Sequence, residues 1–193
     1  MSTFLKSCVV ATGVFVASSV GAQEAEAPAA DADLDLGTPV TQELQVGQPY
    51  IKEEHGDWAL RCLKAAEGEA DPCQLYQLLF DDNGNSVAEI SMFALPEGGR
   101  AAAGATIVVP LETLLTQQLT MSVDGGTARR YPFTFCNPAG CVARVGFTQE
   151  ELDGFRRGNA ATLRMVDAAA PNEEVLLTMS LTGFTAGFAA SSN

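Results

Sequence analysis

The feature that most constrains the fold is an alternation of apolar and polar side chains with a period of two residues. Trp58, Leu60 and Cys62 start the pattern, with a small and a charged residue between them. It recurs in later segments, at 86–95, 119–123, 131–135, 163–165 and 175–181. This period is typical of β-strands with one buried face. The sequence therefore predicts an all-β domain, an antiparallel β-sandwich or partly open barrel, of roughly eight or nine short strands separated by turns.

Three other segments depart from this alternation. Residues 73–80 are almost entirely apolar or Gln, which predicts a strand buried on both faces. One short helix is predicted at 149–157, because a Thr-x-x-Glu capping box begins at Thr148. Gly158 stands where a helix-terminating glycine is expected. A shorter turn of helix is predicted within 111–117.

The first 22 residues have the pattern of a secretory signal peptide. Lys6 precedes an apolar run at 8–20, and the Val-Gly-Ala triplet at 20–22 fits a cleavage site after Ala22. The apolar run is shorter than the roughly 20 residues that a membrane-spanning helix needs. We therefore expect an exported protein without a transmembrane segment, in the periplasm or secreted, with association to the outer membrane as a further expectation.

Composition divides the rest of the chain into a linker and a domain. Residues 23–45 are rich in Ala, Pro and acidic residues and contain no Lys or Arg, so we predict a disordered linker. Residues 46–190 are predicted to form one β domain. The whole chain carries 24 acidic and 11 basic residues, a formal net charge of −13. This charge argues against nucleic acid or an anionic membrane as a partner.

Four cysteines remain once the leader, with Cys8, is removed: Cys62, Cys73, Cys136 and Cys141. An even number in an exported domain predicts two disulfides, for which three connectivities exist. We favour the local pairs Cys62–Cys73 and Cys136–Cys141, since each closes a short loop. A zinc site with four cysteine ligands is the alternative. Ten residues separate the first two cysteines, however, whereas structural zinc sites usually have about two to four.

The residues that could carry catalysis have structural explanations. His55 is the only histidine, and it is expected on the surface before the first confident strand, so a Ser-His or Cys-His arrangement would depend on it alone. The acidic pair Glu150 and Glu151 belongs to the capping box, and the pair Asp81 and Asp82 belongs to a hairpin turn. No catalytic residue and no cofactor are therefore predicted.

Arg129 and Arg130 are the main basic feature of this acidic domain. They precede a predicted strand at 131–135, on which Arg130 should point away from the aromatic side chains. Asn137 and Gly140 lie in the turn that the second disulfide would close, and a fixed turn lowers the ordering cost of binding. We therefore predict a binding site at these four residues for an anionic glycan or an acidic protein. The alternative is that the arginines protect a sheet edge from aggregation.

Several short motifs occur in order along the domain. They are Gly56-Asp57-Trp58 with Cys62, Cys73-x-x-Tyr76-Gln77, Val109-Pro110-Leu111, Asp124-Gly125, Pro132-Phe133 with Cys136 and Gly140-Cys141, and Ser180-Leu181-x-Gly183-Phe184. Together, over residues 56–190, they resemble the invasion-associated locus B family of exported proteobacterial proteins. The resemblance implies a β-rich, disulfide-bonded domain of the periplasm or outer membrane. The family's name records a link to a host-invasion phenotype, which is not inherited by this chain from the resemblance, and no catalytic residues carry over.

These observations favour an exported, non-enzymatic, envelope-associated binding protein of this type, with a protein or glycan of the envelope as its partner. Two alternatives stay open. A periplasmic hydrolase or glycan-processing enzyme would show convergent acids with a raised pKa in a cleft. A periplasmic chaperone or assembly factor would present a sheet edge that accepts a partner strand.

Overall fold

Two antiparallel β-sheets form the folded part of the chain. The computed structural model describes residues 35, 37–38 and 43–192, so the predicted signal peptide (1–22) and most of the predicted linker (23–45) lie outside the described residues. The strands are, in chain order, β1 (Pro49–His55), β2 (Trp58–Leu63), β3 (Cys73–Phe80), β4 (Ser86–Ala94), β5 (Ala103–Val109), β6 (Leu119–Val123), β7 (Arg129–Tyr131), β8 (Phe133–Asn137), β9 (Gly140–Phe147), β10 (Ala160–Val166) and β11 (Glu174–Ser180). The helices are α1 (Gln149–Arg157) and α2 (Phe184–Ala190), with a 3₁₀ turn at Leu115–Gln117.

The strands divide unequally between the sheets. The large sheet has seven strands in the order β1-β2-β3-β4-β5-β9-β8, and the small sheet has four in the order β11-β10-β6-β7. The inner faces of both sheets contribute to one core, whose largest members include Trp58, Leu75, Ile90, Ile107, Leu119, Leu163 and Met179. Alternate residues of most strands therefore face the same apolar interior. The predicted all-β sandwich is confirmed.

The two helices add an aromatic cluster to this core. Phe155 of α1 packs edge to face on Phe147 of β9, with ring centroids 4.9 Å apart, and on Phe184 of α2, at 5.5 Å. Trp58 makes a similar contact with Phe184. Edge-to-face pairs of this kind stabilise a core beyond the area that they bury.

Helix α1 has the predicted bounds and the predicted capping box. The Thr148 hydroxyl accepts a hydrogen bond from the Glu151 backbone N–H, and the Glu151 carboxylate accepts one from the Thr148 backbone N–H. Gly158 stands at the end of α1 as predicted, and its N–H donates to the Gly154 carbonyl oxygen, but its φ of −79° is ordinary for any residue and not left-handed. Glycine is needed there for space: a Cβ would come 2.7 Å from Val123 Cγ1 and 2.9 Å from Leu181 Cδ1.

Strand β3 is buried on one face only, which corrects the prediction for 73–80. Leu75 and Leu79 are buried, whereas Leu78 and Phe80 are 39% and 52% exposed. The outward-facing side chains of this strand are apolar, but no other part of the described structure covers them. A prediction from hydrophobicity alone therefore overestimated how much of the strand is buried. Strand β1 was missed, because its residues are mostly exposed at the edge of the large sheet and show no apolar face.

The predicted single strand at 131–135 is in fact two strands in different sheets. Strand β7 ends at Tyr131 in the small sheet, Pro132 interrupts the hydrogen bonding, and β8 continues in the large sheet. The register against β9 then shifts between Phe133 and Phe135. Because such a bulge moves the following side chains to the other face, Phe133 packs on the core while Phe135 is 44% exposed.

Both local disulfides are confirmed. Cys62 and Cys73 are directly opposite each other on β2 and β3, and Cys136 and Cys141 are opposite on β8 and β9. Each pair therefore cross-links two neighbouring strands of the large sheet. Among the described residues, no helix has the length and apolar character to cross a membrane.

The C-terminal segment closes the domain, and its helix α2 was not predicted. Phe184 and Phe188 are buried on the core side of α2. The helix is short, and its apolar positions follow the family-like motif rather than a long periodic pattern. A glycine precedes it at Gly183, with φ of +85°, where a Cβ would overlap the His55 carbonyl oxygen.

Candidate functional site

The aspartate carboxylates in the hairpin turns accept hydrogen bonds from backbone N–H groups. Asp81 Oδ1 accepts hydrogen bonds from the N–H groups of Asn83 and Asn85, at 2.9 and 2.8 Å. Asp124 accepts from the N–H groups of Asn159 and Ala160, at 3.0 and 3.1 Å. The Asn85 side chain lowers the pKa of Asp81 most, and the Asn159 backbone does so for Asp124. Both groups act as ionised acceptors that fix turns.

Hydrogen bonds among Asp57, Trp58, Gln77 and Ser180 connect the two sheets, and we call these four residues the joint. Trp58 Nε1 donates to the Ser180 carbonyl oxygen at 2.9 Å, and the Ser180 N–H donates to Gln77 Oε1 at 2.9 Å. Gln77 Nε2 donates in turn to the carbonyl oxygens of Asp57 and Ser180. The Ser180 hydroxyl donates to the Asp57 carboxylate at 2.5 Å. Asp57 and Ser180 are therefore used in holding the fold together.

His55 lies in the same region and is less exposed than predicted. Its side chain is 20% exposed, and its Nε2 lies 3.1 Å from Glu53 Oε2. A Cβ added at Gly187 of α2 would come 3.4 Å from the ring Cδ2 of His55. Within the described part of the chain, no group of three or more His, Cys, Asp or Glu residues could hold a metal ion.

A cleft lies beside Arg129, between α1 and the β6–β7 hairpin. Its volume is about 310 Å³, and its apolar surface comes from Met121, Val123 and Phe155. Charged side chains of Arg129, Glu150, Glu151 and Arg157 surround this surface. An apolar cleft with a few convergent polar groups is the usual form of a binding site.

Glu151 fixes the polar side of this cleft. Its Oε1 accepts from Arg129 Nε at 2.8 Å and from the Tyr131 hydroxyl at 3.4 Å, while its Oε2 belongs to the capping box. Burial, followed by the Glu151 charge, raises the pKa of Tyr131 to about 12. The phenol therefore stays protonated at physiological pH and serves as a hydrogen-bond donor.

Arg130 points to the opposite side of β7 and lies on the solvent-facing side of the small sheet. It is directly opposite Thr120 of β6, which is directly opposite Arg164 of β10. These residues line a shallow cavity of about 370 Å³ together with Ser122 and Thr162. The two adjacent arginines thus serve two different surfaces.

Asn137 and Gly140 shape the tight turn between β8 and β9. Asn137 Oδ1 accepts a hydrogen bond from the Ala139 N–H at 2.9 Å. Gly140 is buried with φ of +146°, and a Cβ there would overlap the Val109 carbonyl oxygen. The structure therefore gives both residues a role in the turn itself.

The structure does not assemble the four predicted binding residues into one site. Arg129 and Arg130 precede β8 in the small sheet, and Asn137 and Gly140 follow at the far end of that strand, in the large sheet. The length of β8 separates the two pairs.

Sequence reasoning missed Glu151 as the partner of Arg129, and it missed Arg164 and Thr120 beside Arg130. The polar positions of β6 and β10 were visible in the alternating pattern. The register between β6 and β10 pairs segments about 40 residues apart in sequence. It could not be predicted from the sequence, because register depends on the whole core.

Three comparisons place the chain among known proteins. The family model described as Invasion associated locus B (IalB) protein matches residues 58–192. Invasion protein B homologs from Brucella abortus strain 2308 and from B. abortus biovar 1 strain 9-941 are each 23% identical over 147 residues, covering 74% of this chain and 80% of theirs. The crystal structure of invasion associated protein B from Bartonella henselae is similar in fold, with a TM-score of 0.59.

That structural match has 23% identity and covers 72% of this chain and 92% of the other. The family match spans most of the described domain and includes Trp58, Gln77 and Ser180 of the joint as well as all four bonded cysteines. The chain therefore belongs to the invasion-associated locus B family.

Proposed function

We propose that this protein is an exported, non-enzymatic binding protein of the bacterial envelope that contributes to cell-surface or host interaction. One observation carries the non-enzymatic part: the reactive side chains near both ends of the domain and in its turns are tied into structural hydrogen bonds. Asp57, Asp81, Asp124 and Glu151 each accept hydrogen bonds that hold a joint, a turn or a helix cap.

The directions of the pKa shifts support the same proposal. Hydrogen bonds lower the pKa of Asp81 and Asp124. A general acid that works near neutral pH needs a raised pKa. These carboxylates are thus suited to accept hydrogen bonds, and the raised pKa of Tyr131 makes that phenol a poor proton donor to substrate.

The contact surface that we propose is the cleft between α1 and the β6–β7 hairpin. Arg129 is 58% exposed there although its Nε is held by Glu151. The remaining guanidinium nitrogens can bind an acidic partner while the ion pair fixes their position, which reduces the entropy lost on binding. Met121 and Phe155 provide buried apolar surface beside this charge.

The compartment that we propose is the periplasm or the outer face of the envelope. Two disulfides favour an oxidising compartment, and residues 1–22 have the signal-peptide pattern. The host-interaction part of the proposal rests on the relatives, whose names describe them as invasion proteins.

Co-sedimentation with envelope vesicles from the producing bacterium tests the binding function. The mature protein should be retained saturably, and Arg129→Gln should weaken retention several-fold because the cleft loses one of its two exposed cations, Arg157 being the other. Arg100→Gln is the matched control, since Arg100 is exposed in the β4–β5 connection and carries the same charge. Retention that does not saturate, or that both variants reduce equally, would contradict the proposal.

The same incubation tests the enzymatic alternative. We expect the masses of envelope glycans and proteins to remain unchanged, as measured by mass spectrometry of the soluble fraction. Release of fragments in molar excess over the added protein, lost in Glu150→Gln, would identify a hydrolase instead.

A further inference from the structure

A continuous cross-strand row crosses the outer face of the small sheet. Leu176 of β11, Arg164 of β10, Thr120 of β6 and Arg130 of β7 are successive partners in the antiparallel register. Neighbouring strands lie about 4.8 Å apart, so the two arginine backbones are about 10 Å apart with Thr120 between them. We name these four residues the arginine row.

Two polar atoms at the centre of the arginine row are buried without a partner. They are Thr120 Oγ1 and Arg164 Nη1, and neither has a hydrogen bond within the described residues. Arg164 Nε donates to Glu174 Oε1 at 3.0 Å, so the guanidinium is held in place while its Nη1 stays unpaired. Buried polar atoms in folded proteins are nearly always paired. The unpaired atoms therefore indicate a position for ligand oxygens.

The surroundings of the row define the chemistry of such a ligand. Arg130 is exposed and has no carboxylate partner in the described part of the chain. Arginine forms paired hydrogen bonds with carboxylates. The cavity of about 370 Å³ also receives the hydroxyls of Ser122 and Thr162, and Leu176 presents an apolar surface that is 58% exposed. Hydroxyls, an apolar face and two cations together match a sugar ring that bears an acid group.

We propose that the arginine row binds a carboxylate-bearing saccharide. Its carboxylate lies between Arg130 and Arg164, and its ring hydroxyls contact Thr120, Ser122 and Thr162. The proposal rests on the binding function proposed above and names a ligand class for it. It uses the face of β7 opposite the Arg129 cleft, so the two surfaces are tested separately.

Calorimetric titration of the full mature protein with tetragalacturonate tests the proposal, with fully methyl-esterified tetragalacturonate and inorganic sulfate as comparison probes. The wild-type protein should bind the acid and not the ester. Arg130→Gln and Arg164→Gln should each weaken the affinity about tenfold, since each removes one charged contact. Thr120→Val should weaken it about threefold by removing one neutral hydrogen bond.

Matched controls come from the outer face of the large sheet. Arg144→Gln and Thr106→Val change the same residue types on strands β9 and β5 and should leave the affinity unchanged. The intrinsic fluorescence of Trp58 checks that each variant is folded. Because Arg130 is exposed, we expect Arg130→Gln to fold normally. It therefore tests the proposal even if Arg164→Gln fails to fold.

Three results would overturn the proposal: no binding of the acid, equal binding of the ester, or sulfate binding as tightly as the saccharide with the same sensitivity to Arg130→Gln. Failure of the proposed function is distinguishable, because wild-type protein would then not be retained by the envelope vesicles. Wild-type protein that is retained but does not bind tetragalacturonate would refute the arginine row alone.

Discussion

Gly183 lies so close to the backbone at the end of β1 that there is no room for a side chain. It stands in the left-handed region, with φ of +85°, between Ser180 and helix α2. A Cβ would overlap the carbonyl oxygen of His55 at the end of β1. The close approach of these two backbones lets the Asp57 N–H donate to the Thr182 carbonyl oxygen at 3.2 Å. Both the glycine and the hydrogen bond are needed to bring the C-terminal segment onto the β1–β2 turn.

We expect Gly183→Ala to destabilise the domain by about 3 kcal/mol, combining the left-handed backbone strain with overpacking. Urea unfolding monitored by Trp58 fluorescence measures this. Gly154→Ala is the control, because Gly154 lies inside α1 and nothing lies within 4 Å of a Cβ there. That variant should gain roughly 0.5–1 kcal/mol from helix propensity. A Gly183→Ala protein as stable as the parent would contradict the close packing of the joint.

Asp124 makes the stability of the domain depend on acid pH. Hydrogen bonds from the backbone N–H groups of Asn159 and Ala160 lower its pKa below the usual value of an aspartate. A group whose pKa is lower in the folded state stabilises fully above its unfolded pKa, and this contribution disappears as the pH falls through the folded value. We therefore expect stability to fall below about pH 4, and Asp124→Asn to make that fall shallower.

Thermal unfolding between pH 2 and pH 6, in roughly half-unit steps, measures the difference. Asp82→Asn is the matched control, since Asp82 is exposed in the β3–β4 turn and accepts no hydrogen bond in the described structure. Equal slopes for Asp124→Asn and the parent protein would show that Asp124 does not contribute to acid sensitivity.

At the scale of single elements, local sequence patterns predicted the features that depend on nearby residues, but not the pairing of strands that are distant in sequence. The bounds of α1 were predictable because the capping box at Thr148 acts within three residues. The division of 131–135 between two sheets was not, because Pro132 ends one strand and only the surrounding core decides where the next one pairs. The arginine row was hidden for the same reason, since Arg164 and Thr120 meet only through the β6–β10 register.

The two disulfides join neighbouring strands and differ mainly in the length of chain that they close. Cys62–Cys73 spans a sequence separation of 11 and Cys136–Cys141 a separation of 5. The chain-entropy model predicts that replacing the first pair with Ala costs about 3 kcal/mol and replacing the second about 2 kcal/mol. Urea unfolding of both double variants gives the comparison. A larger loss for the Cys136/Cys141 variant would show that the shorter bridge stabilises by another means.

At the scale of the whole molecule, one joint connects segments from opposite ends of the folded domain. Trp58 and Ser180 lie 122 residues apart in sequence and share a hydrogen bond. Gln77 adds three more hydrogen bonds to the same place. This joint explains much of the family-like sequence pattern, namely Gly56-Asp57-Trp58 and Ser180-Leu181-x-Gly183-Phe184. The family-like motifs at this joint therefore describe its architecture, and the Arg129 cleft and the arginine row lie elsewhere.

We expect export with cleavage after Ala22, since small residues precede the cleavage position. Intact mass and N-terminal sequencing of protein from a periplasmic extract should find Gln23 as the first residue. Replacing Ala22 with a bulky residue such as Phe should slow processing. Protein in the periplasmic extract that still begins at Met1 would contradict the cleavage.

The joint at Ser180 has a consequence for the order in which the chain can fold. A ribosome delivers residues from the N-terminus onward, so Trp58 and Gln77 emerge long before Ser180, with which they form hydrogen bonds. Until Phe184 and Phe188 arrive, the aromatic cluster around Trp58 stays incomplete. Non-local contacts of this kind are slow to form. We therefore expect the joint between the two sheets to close only when the last helix is released.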